Sequence, residues 1–410
     1  MNVAGLCYTN VSISMSFTPY SAELFTSILT IITSTHASVT ADPYNVHTLT
    51  GALPQYVKRA GLVGLVNVGN TCYLNSIIQC LSNTMPFSTH FIQQTYRKDI
   101  NRNNPLGTGG QLAETFGDLL QIIWKGSDRT SSFKPDRLKN VISQFAPRFS
   151  GREQHDAQEL LSFLMDGLHE DLNCSRDRTY QEDPDYDGND AQTAALSWTN
   201  YKRRNDSVVV DLFQGQFRSE LKCLTCGNKS VTFNPFMYLS VPVPANVSQA
   251  TLKKCIDTFT ARERVAGNDQ WYCGNCKKHR DAEKRLSIWR LPPVLLIHFK
   301  RFQSDAFGNS RAKINTMVDF PIGNLDLSSY LPNTDRQNAQ NHSYHLLSVA
   351  NHWGQMGSGH YTAFCRNVFD RKWHDFDDST VKPMDESRVK TPGAYVLGYI
   401  NSQYFNAYSR

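Results

Sequence analysis

The chain has 410 residues, of which 40% are hydrophobic and 19% are charged, and its formal net charge is +5. Such a chain can bury a sizeable core, in one large domain or two ordinary ones. No run of Lys and Arg is long enough to act as a nucleic-acid-binding arm. No segment reaches the roughly 20 uninterrupted apolar residues of a membrane-spanning helix.

The first 60 residues differ in composition from the rest. They are rich in Ser and Thr, poor in charge and without clear periodicity. Phe25 to Ile32 is apolar, but no basic residue precedes it, which argues against a signal peptide. We therefore expect residues 1–60 to be a poorly ordered leader, and we assign it no function.

Helical patterns come first in the chain and strand patterns follow. Apolar residues recur every three or four positions from Gln111 to Trp124 and again after Gly151–Asp156, which predicts two helices. The acidic stretch Asp183–Asp190 predicts a loop. Helices followed by strands predict an α+β protein, with the helical part packed on one side of a mostly antiparallel sheet. The predicted strands, rich in β-branched and aromatic residues, are Ser207–Phe213, Gly215–Lys222, Lys229–Phe233, Tyr238–Val243, Leu286–Trp289, Val294–Phe302, Tyr344–Ala350, His360–Arg366 and Tyr395–Ile400.

The stretch Gly64–Leu81 places a cysteine at the start of a predicted helix. Asn70 and Thr71 are both plausible N-caps, so Cys72 falls in the first turn. Backbone N–H groups without a helical partner and the positive end of the helix dipole favour a thiolate there, and the thiolate is the nucleophile of cysteine chemistry. For a cysteine considered alone, a buried structural role is the commoner alternative.

A histidine far along the chain favours the catalytic alternative. His360 follows a glycine-rich stretch and begins a predicted strand, and a turn near Phe369 leads into Trp373–Asp378. If these segments form a hairpin, His360 faces residue 378 or its neighbour, so either Asp377 or Asp378 could orient the imidazole. Three rival histidines lack this combination: His345, His352 and His374.

Four of the ten cysteines form two Cys-x-x-Cys pairs, each at a tight turn between predicted strands. Two such turns can supply four thiolates to a tetrahedral metal ion, which is typical of a structural zinc site in a reducing compartment. A redox motif is the alternative, but it would open a helix in a βαβ unit, and the sequence shows none. The predicted ligands are Cys223, Cys226, Cys273 and Cys276.

Several segments resemble the signature boxes of the ubiquitin-specific proteases, in the same order. Gly64–Asn75 is similar to their cysteine box, Glu153–Leu160 to their glutamine-aspartate motif, and Gly359–Ala363 with Trp373–Asp378 to their histidine box. The likeness covers roughly residues 61–402. Further stretches resemble most closely the UBPY subgroup, which acts on cargo sorting at endosomes: Phe163–Asn173, Leu212–Phe217 and Leu291–Leu296.

This resemblance implies a papain-like cysteine protease fold in the shape of a hand. Residues 61–405 would form the catalytic domain. Residues 61–206 would be a mainly helical thumb, residues 207–300 the zinc-bearing fingers with part of the palm, and residues 301–405 the palm with the histidine box. The fingers would hold the globular body of ubiquitin.

The resemblance also implies roles for individual residues. Cys72 would be the nucleophile, His360 the general base and Asp377 the carboxylate that orients it. Asn67 would donate a hydrogen bond to the oxyanion. Asp378 would be a second carboxylate that supports the same site.

The glutamine-aspartate motif would contact the C-terminal tail of ubiquitin through Asp156 and Gln158. A carboxylate suits the arginines of that tail, whereas helix capping is the plain alternative for Asp156. The implied reaction is hydrolysis of the amide after the terminal Gly-Gly of ubiquitin, through an acyl-enzyme. Ubiquitin and ubiquitinated proteins would be the partners, and Zn²⁺ a structural cofactor.

Three other functions compete with this interpretation. A non-catalytic ubiquitin-binding module is disfavoured because the triad residues are intact. A zinc-ribbon nucleic-acid binder is disfavoured because there is no basic stripe. An enzyme that cleaves a ubiquitin-like modifier is the nearest competitor. We expect a monomeric, cytoplasmic catalytic domain with no nucleic-acid partner and no membrane span, and the UBPY likeness adds a link to endosomes.

Overall fold

The computed structural model describes residues 59–126, 130–176, 179–184, 186–304, 311–332, 342–355 and 358–409. Nearly all of the predicted leader, residues 1–58, lies outside these ranges. Within them, no helix is both long enough and apolar enough to cross a membrane. The predicted limits of thumb, fingers and palm stay predictions.

The first part of the described chain is helical, as predicted. The segment predicted as helical from Gln111 to Trp124 is a helix, and so is the one that follows Asp156. The helices are α1 (Cys72–Ser82), α2 (Met85–Ile92), α3 (Gln111–Lys125), α4 (Asp136–Phe145), α5 (Ala157–Asp171) and α6 (Asp190–Arg204). Helix α1 lies at the centre of the fold, since every one of its 11 residues is buried.

A buried carboxylate joins the end of α5 to the start of α3. Asp171 is fully buried, and its two oxygens accept hydrogen bonds from the backbone N–H and hydroxyl of Thr108, both at 2.6 Å, and from the N–H groups of Gly110 at 3.2 Å and Ala113 at 3.1 Å. The N–H groups at the start of a helix have no partner within the helix. Asp171, the last residue of α5, supplies a hydrogen-bond acceptor to the N–H of Ala113 in the first turn of α3. It thereby fixes how α3 and α5 meet.

The segment Ser207–Phe213 is not the strand that its β-branched residues predict. It forms helix α7 (Val208–Phe213), and the Ser207 hydroxyl accepts the N–H of Val210 at 3.3 Å as its N-cap. The same hydroxyl lies 2.8 Å from Nδ1 of His169 in α5. Strand propensity is weak enough for a cap and burial against neighbouring helices to outweigh it.

A four-stranded antiparallel sheet follows, in the order β4-β3-β10-β7. A separate two-stranded hairpin, β8 with β9, lies between β7 and β10 in the sequence. These strands include three predicted segments: Gly215–Lys222, Lys229–Phe233 and Leu286–Trp289. Their bounds are β3 (Gly215–Cys223), β4 (Lys229–Phe236), β7 (Arg262–Val265), β8 (Trp271–Cys273), β9 (Lys278–Arg280) and β10 (Ala282–Arg290).

The largest sheet has the order β19-β18-β17-β16-β20-β11-β5, with the short β15 also paired to β16. Only β5 and β11 pair in parallel within it. The α+β prediction with a mostly antiparallel sheet is therefore confirmed. Its strands are β5 (Tyr238–Pro242), β11 (Val294–Lys300), β15 (Leu325–Asp326), β16 (Ser343–Gln355), β17 (Ser358–Arg366), β18 (Trp373–Asp377), β19 (Thr380–Met384) and β20 (Ala394–Asn401).

Short pairs and two more helices complete the described chain. The pairs are β1 (Gly64–Leu65) with β2 (Ser132–Phe133), β6 (Gln249–Thr251) with β14 (Met317–Asp319), and β12 (Phe302–Ser304) with β13 (Arg311–Lys313). The helices are α8 (Leu252–Phe259) and α9 (Ser402–Ser409). Helix α1 packs against β16, β17 and β18. That contact brings the cysteine segment to the histidine strand.

Candidate active site

Cys72 is the first residue of α1 and only 3% of its surface is exposed. Thr71 is the residue before the helix, but its side chain makes no capping bond. Its hydroxyl accepts the N–H of Val68 instead, at 3.0 Å. The other predicted cap, Asn70, has a left-handed backbone (φ 55°) and donates to the carbonyl of Arg152 at 2.8 Å. Neither of these two side chains therefore caps the first backbone N–H groups of α1.

His360 lies between a carboxylate and the cysteine. Its Nε2 lies 2.7 Å from Oδ1 of Asp377. Interaction with Cys72, followed by the hydrogen bond to Asp377, raises the pKa of His360 to about 9 against the opposing effect of burial. Both neighbours therefore favour an imidazolium.

Asp378 adopts a left-handed backbone (φ 48°) that turns its side chain to the cysteine segment. Oδ2 accepts the side-chain N–H of Asn67 at 3.0 Å, and Oδ1 accepts that of Asn75 at 2.8 Å. The backbone carbonyl of Asp378 accepts the N–H of Leu65 at 2.8 Å. One residue thus connects the turn after β18 to β1, to the loop before α1 and to α1 itself.

Asn67 has a fixed orientation. Its Oδ1 accepts the backbone N–H groups of Gly69 at 3.1 Å and Thr71 at 3.0 Å, while its amide nitrogen donates to Asp378. A carboxamide nitrogen carries two hydrogens, so one N–H remains after the bond to Asp378. Asn67 is exposed, and its side chain is accessible from solvent.

Asp156 is the N-cap of α5, as the capping alternative predicted. Oδ1 accepts the N–H of Gln158 at 2.7 Å and Oδ2 accepts the hydroxyl of Tyr395 at 2.6 Å. Burial is the larger influence and raises the pKa of this carboxyl. The amide of Gln158 donates to the hydroxyl of Ser162, which in turn donates to Tyr238, both at 2.9 Å. These contacts fix both predicted tail-binding residues beside the large sheet.

The rival histidines have other surroundings. His345 stacks on Phe405 with ring centroids 4.0 Å apart, and His374 binds Asp370 at 2.8 Å. His352 is buried, and burial lowers its pKa to about 4, so its ring stays neutral near neutral pH. Cys72 is not among the causes that shift the pKa of His345 or His352, whereas the cysteine raises the pKa of His360.

Comparisons with known proteins agree with this geometry. A family model described as ubiquitin carboxyl-terminal hydrolase matches residues 63–399. The chain belongs to the ubiquitin carboxyl-terminal hydrolase family. Ubiquitin carboxyl-terminal hydrolase 2 of Homo sapiens is 39% identical over 342 residues, 83% of this chain and 55% of that protein. Ubiquitin carboxyl-terminal hydrolase Usp2 of Drosophila melanogaster is 38% identical over 346 residues, 83% of this chain and 35% of that protein.

The hydrolase architecture is also seen in solved structures. A chain of the SAGA Ubp8/Sgf11/Sus1/Sgf73 DUB module bound to ubiquitin aldehyde is similar with a TM-score of 0.65 and 26% identity, over 85% of this chain and 71% of that one. The predicted protease fold is thereby confirmed. The chain spans about half the length (55%) of the first mammalian relatives. These comparisons do not confirm the UBPY subgroup, which stays a prediction.

A second cluster lies at the ends of the strands of the four-stranded sheet and the β8–β9 hairpin. The four predicted cysteine ligands have sulfur atoms all within 4.8 Å of one another, and those of Cys226 and Cys273 are 3.6 Å apart. Sulfur atoms on a tetrahedral zinc, each about 2.3 Å from the metal, lie about 3.8 Å apart. The residue after each pair, Gly227 or Lys277, has a positive φ and donates its N–H to the carbonyl of the first cysteine. This donor set fits zinc.

Two residues at the candidate site were not singled out by sequence reasoning. Asn75 binds Asp378 and the carbonyl of Leu65, and Gln154 binds both backbone groups of Gly359. Both lie within the recognised boxes, but a polar residue in a helix or a loop carries no signal of its distant partner.

Proposed function

We propose that the protein is a deubiquitinating cysteine protease that hydrolyses the amide or isopeptide bond after the C-terminal Gly-Gly of ubiquitin. The observation that carries the proposal is the position of one imidazole, that of His360, which binds the Asp377 carboxylate at 2.7 Å and lies near enough to Cys72 for the cysteine to raise its pKa. Relatives named ubiquitin carboxyl-terminal hydrolases and a similar chain solved with ubiquitin aldehyde support the choice of substrate.

The proposed reaction begins from a His360 imidazolium that already holds the proton of Cys72, as the raised pKa of the imidazole favours. The sulfur attacks the carbonyl carbon of the last glycine, and the C–N bond breaks as His360 gives its proton to the departing amine. The resulting thioester joins Cys72 to ubiquitin. Water, deprotonated by His360, then attacks the thioester and releases the free carboxyl end and the thiol. Asp377 keeps Nε2 occupied, which fixes the ring orientation and stabilises the imidazolium.

The oxyanion would be stabilised by the remaining N–H of Asn67 and by the first backbone N–H groups of α1. Asp378 supports this arrangement because it holds the Asn67 amide in place. Loss of one oxyanion donor typically lowers the rate by about 10²–10³-fold.

The tail of ubiquitin would pass the N-terminus of α5. There the carboxylate of Asp156 would pair with a tail arginine while it continues to cap the helix. Gln158, on the first turn of α5, would contact the same tail. Both side chains are only half-buried, which leaves them partly accessible to a substrate.

We further propose that Zn²⁺ is bound by Cys223, Cys226, Cys273 and Cys276. The ion would replace the hydrophobic core that two short turns lack, and it would join the β3–β4 turn to the β8–β9 turn. With four protein ligands it would have a structural role and no open position for a substrate.

Turnover of ubiquitin with a fluorogenic C-terminal amide tests the proposed activity. The wild type should release the fluorophore, and Cys72→Ala should not. Cys80→Ala is a matched control, because Cys80 is buried in the same helix without contact to His360. Reaction of a ubiquitin-like modifier in preference to ubiquitin would point to the competing substrate class, and a wild type inert to an electrophilic ubiquitin probe would contradict the proposal.

A further inference from the structure

The side chain of Gln154 binds the backbone of the residue that precedes the catalytic histidine. Its Nε2 donates to the carbonyl of Gly359, and its Oε1 accepts the N–H of Gly359, each at 2.8 Å. The two residues are 205 positions apart in the chain. A single carboxamide thus satisfies both backbone groups of one residue, as a neighbouring strand would.

Among the described residues, no neighbouring strand occupies that place. The β17–β18 ladder begins at Ala363, paired with Phe376, and β18 ends at Asp377. On its other side, Gly359 lies opposite Gly354 of β16. In the described part of this edge, Gln154 therefore takes the place of a strand at the position next to His360.

Gly359 has no room for a side chain. A Cβ atom on Gly359 would lie 2.1 Å from Nε2 of His352 and 2.6 Å from the carbonyl oxygen of Trp353. The backbone at this position therefore packs closely against β16 and is also bound by the Gln154 carboxamide. Removal of the carboxamide would take away one of these two constraints.

We propose that Gln154 is a positioning residue, which holds the backbone before His360 so that the imidazole reaches both the Cys72 thiol and Asp377. The inference rests on the proposed function. Displacement of a catalytic group by about 1 Å can lower a rate by about a hundredfold, so the loss of both hydrogen bonds should lower kcat rather than substrate affinity. The titratable groups that face His360 are Cys72, Asp375, Asp377, Asp378 and the neutral His352.

The first experiment needs no ubiquitin. The rate of Cys72 alkylation by iodoacetamide as a function of pH reports how well the thiolate is stabilised by the imidazolium. For Gln154→Leu we expect the midpoint of this profile to move to higher pH, together with a kcat for ubiquitin amide that is about tenfold to a hundredfold lower at similar KM. A raised KM with an unchanged alkylation profile would make Gln154 a substrate contact and overturn the proposal.

The second experiment uses Gln154→Glu. A protonated carboxyl has one donor and one acceptor and can form both hydrogen bonds, whereas the carboxylate faces the Gly359 carbonyl without a proton. Relative to the wild type at each pH, kcat of this variant should rise about tenfold as the pH is lowered towards 5, whereas that of Gln154→Leu should not rise. Parallel behaviour of the two variants would overturn the proposal.

Gln121 provides the matched control. Its side chain also donates to backbone carbonyls, those of Phe91 and Ile92, both at 2.7 Å, but in the helical part of the chain away from His360. Gln121→Leu and Gln121→Glu should leave the alkylation profile unchanged. Near-UV circular dichroism monitors folding, and Gln154→Met replaces Gln154→Leu if that variant unfolds. Loss of structure in all Gln154 variants would make Gln154 a folding residue and overturn the proposal. An alkylation shift with no ubiquitin turnover in the wild type would instead contradict the proposed substrate.

Discussion

Asp377 and Asp378 are neighbours in the chain, yet their carboxylates bind different residues of the site. Asp377 binds His360 at 2.7 Å, whereas Asp378 binds the amides of Asn67 and Asn75 at 3.0 and 2.8 Å. The left-handed backbone of Asp378 produces this divergence. One carboxylate therefore binds His360, and the other binds the loop that leads to Cys72.

Asp377→Asn should reduce activity with little effect on stability. Its side chain is 54% exposed, so the loss of the ion pair should cost about 1 kcal/mol or less. An amide can donate to Nε2 and thereby favour the wrong tautomer, so kcat should fall by about 10²–10⁴-fold. Turnover of ubiquitin amide and thermal unfolding, measured on the same preparation, check both parts. A large drop in Tm would contradict the assignment.

Asp378→Asn should reduce both activity and stability. Both oxygens of Asp378 accept N–H groups, and an amide nitrogen in place of one of them would face a donor. We expect a loss of about 1–3 kcal/mol in the free energy of unfolding and a lower kcat. Denaturant unfolding provides the measurement. A variant as stable as Asp377→Asn would show that Asp378 does not hold the loop and α1 together.

The raised pKa of His360 predicts that the free energy of unfolding depends on pH. Since this pKa is raised from 6.5 to about 9 in the folded protein, the folded state binds more protons than the unfolded state between these values. The stabilisation is fully present below pH 6.5 and is lost as the pH rises through about 9. The difference in unfolding free energy between wild type and His360→Gln should therefore shrink over this interval. A constant or growing difference would disagree with a raised pKa.

Metal content tests the cysteine cluster. The purified wild type should contain about one zinc per chain, and Cys226→Ser should contain little, because one of four ligands is lost. Chelation should lower the Tm, as metal binding contributes to folding. Cys255→Ser is the control, since Cys255 is buried in α8 and lies outside the cluster. Equal zinc content in wild type and Cys226→Ser would refute the site.

Asp171→Asn should destabilise the helical part of the protein. The buried carboxylate accepts four hydrogen bonds, and an amide would leave at least one donor without an acceptor. The expected loss in unfolding free energy is about 3 kcal/mol. Denaturant unfolding measures it, and Asp118→Asn, at an exposed ion pair, should change the value by well under about 1 kcal/mol.

Local patterns predicted most elements and the approximate register of the hairpin. Ala363 pairs with Phe376, and continuation of that register would place residue 379 opposite His360, close to the predicted 378. The actual bond goes to Asp377 because β18 ends there and the backbone turns at Asp378. On geometry alone, sequence reasoning could not decide whether Asp377 or Asp378 orients His360, since a left-handed residue after a strand has no clear sequence signal.

Polar contacts between residues far apart in the chain could not be predicted from the sequence. Arg301 is fully buried, and its guanidinium donates to the carbonyls of Ala394, Ile314 and Thr316. An arginine in a sequence predicts an exposed charge, and carbonyl partners so far along the chain are set only by the fold. The bond from Gln154 to Gly359 is of the same kind. Helix α7 was missed because burial outweighed local propensity.

The position of β20 has a consequence for how the protein matures. This strand, Ala394–Asn401, lies between β16 and β11 and is synthesised after every other strand of its sheet. β16 and β11 therefore cannot be joined into one sheet until this segment has been synthesised. The sheet that carries His360 is thus completed by a pairing of segments far apart in the sequence, which makes its closure a late step of folding.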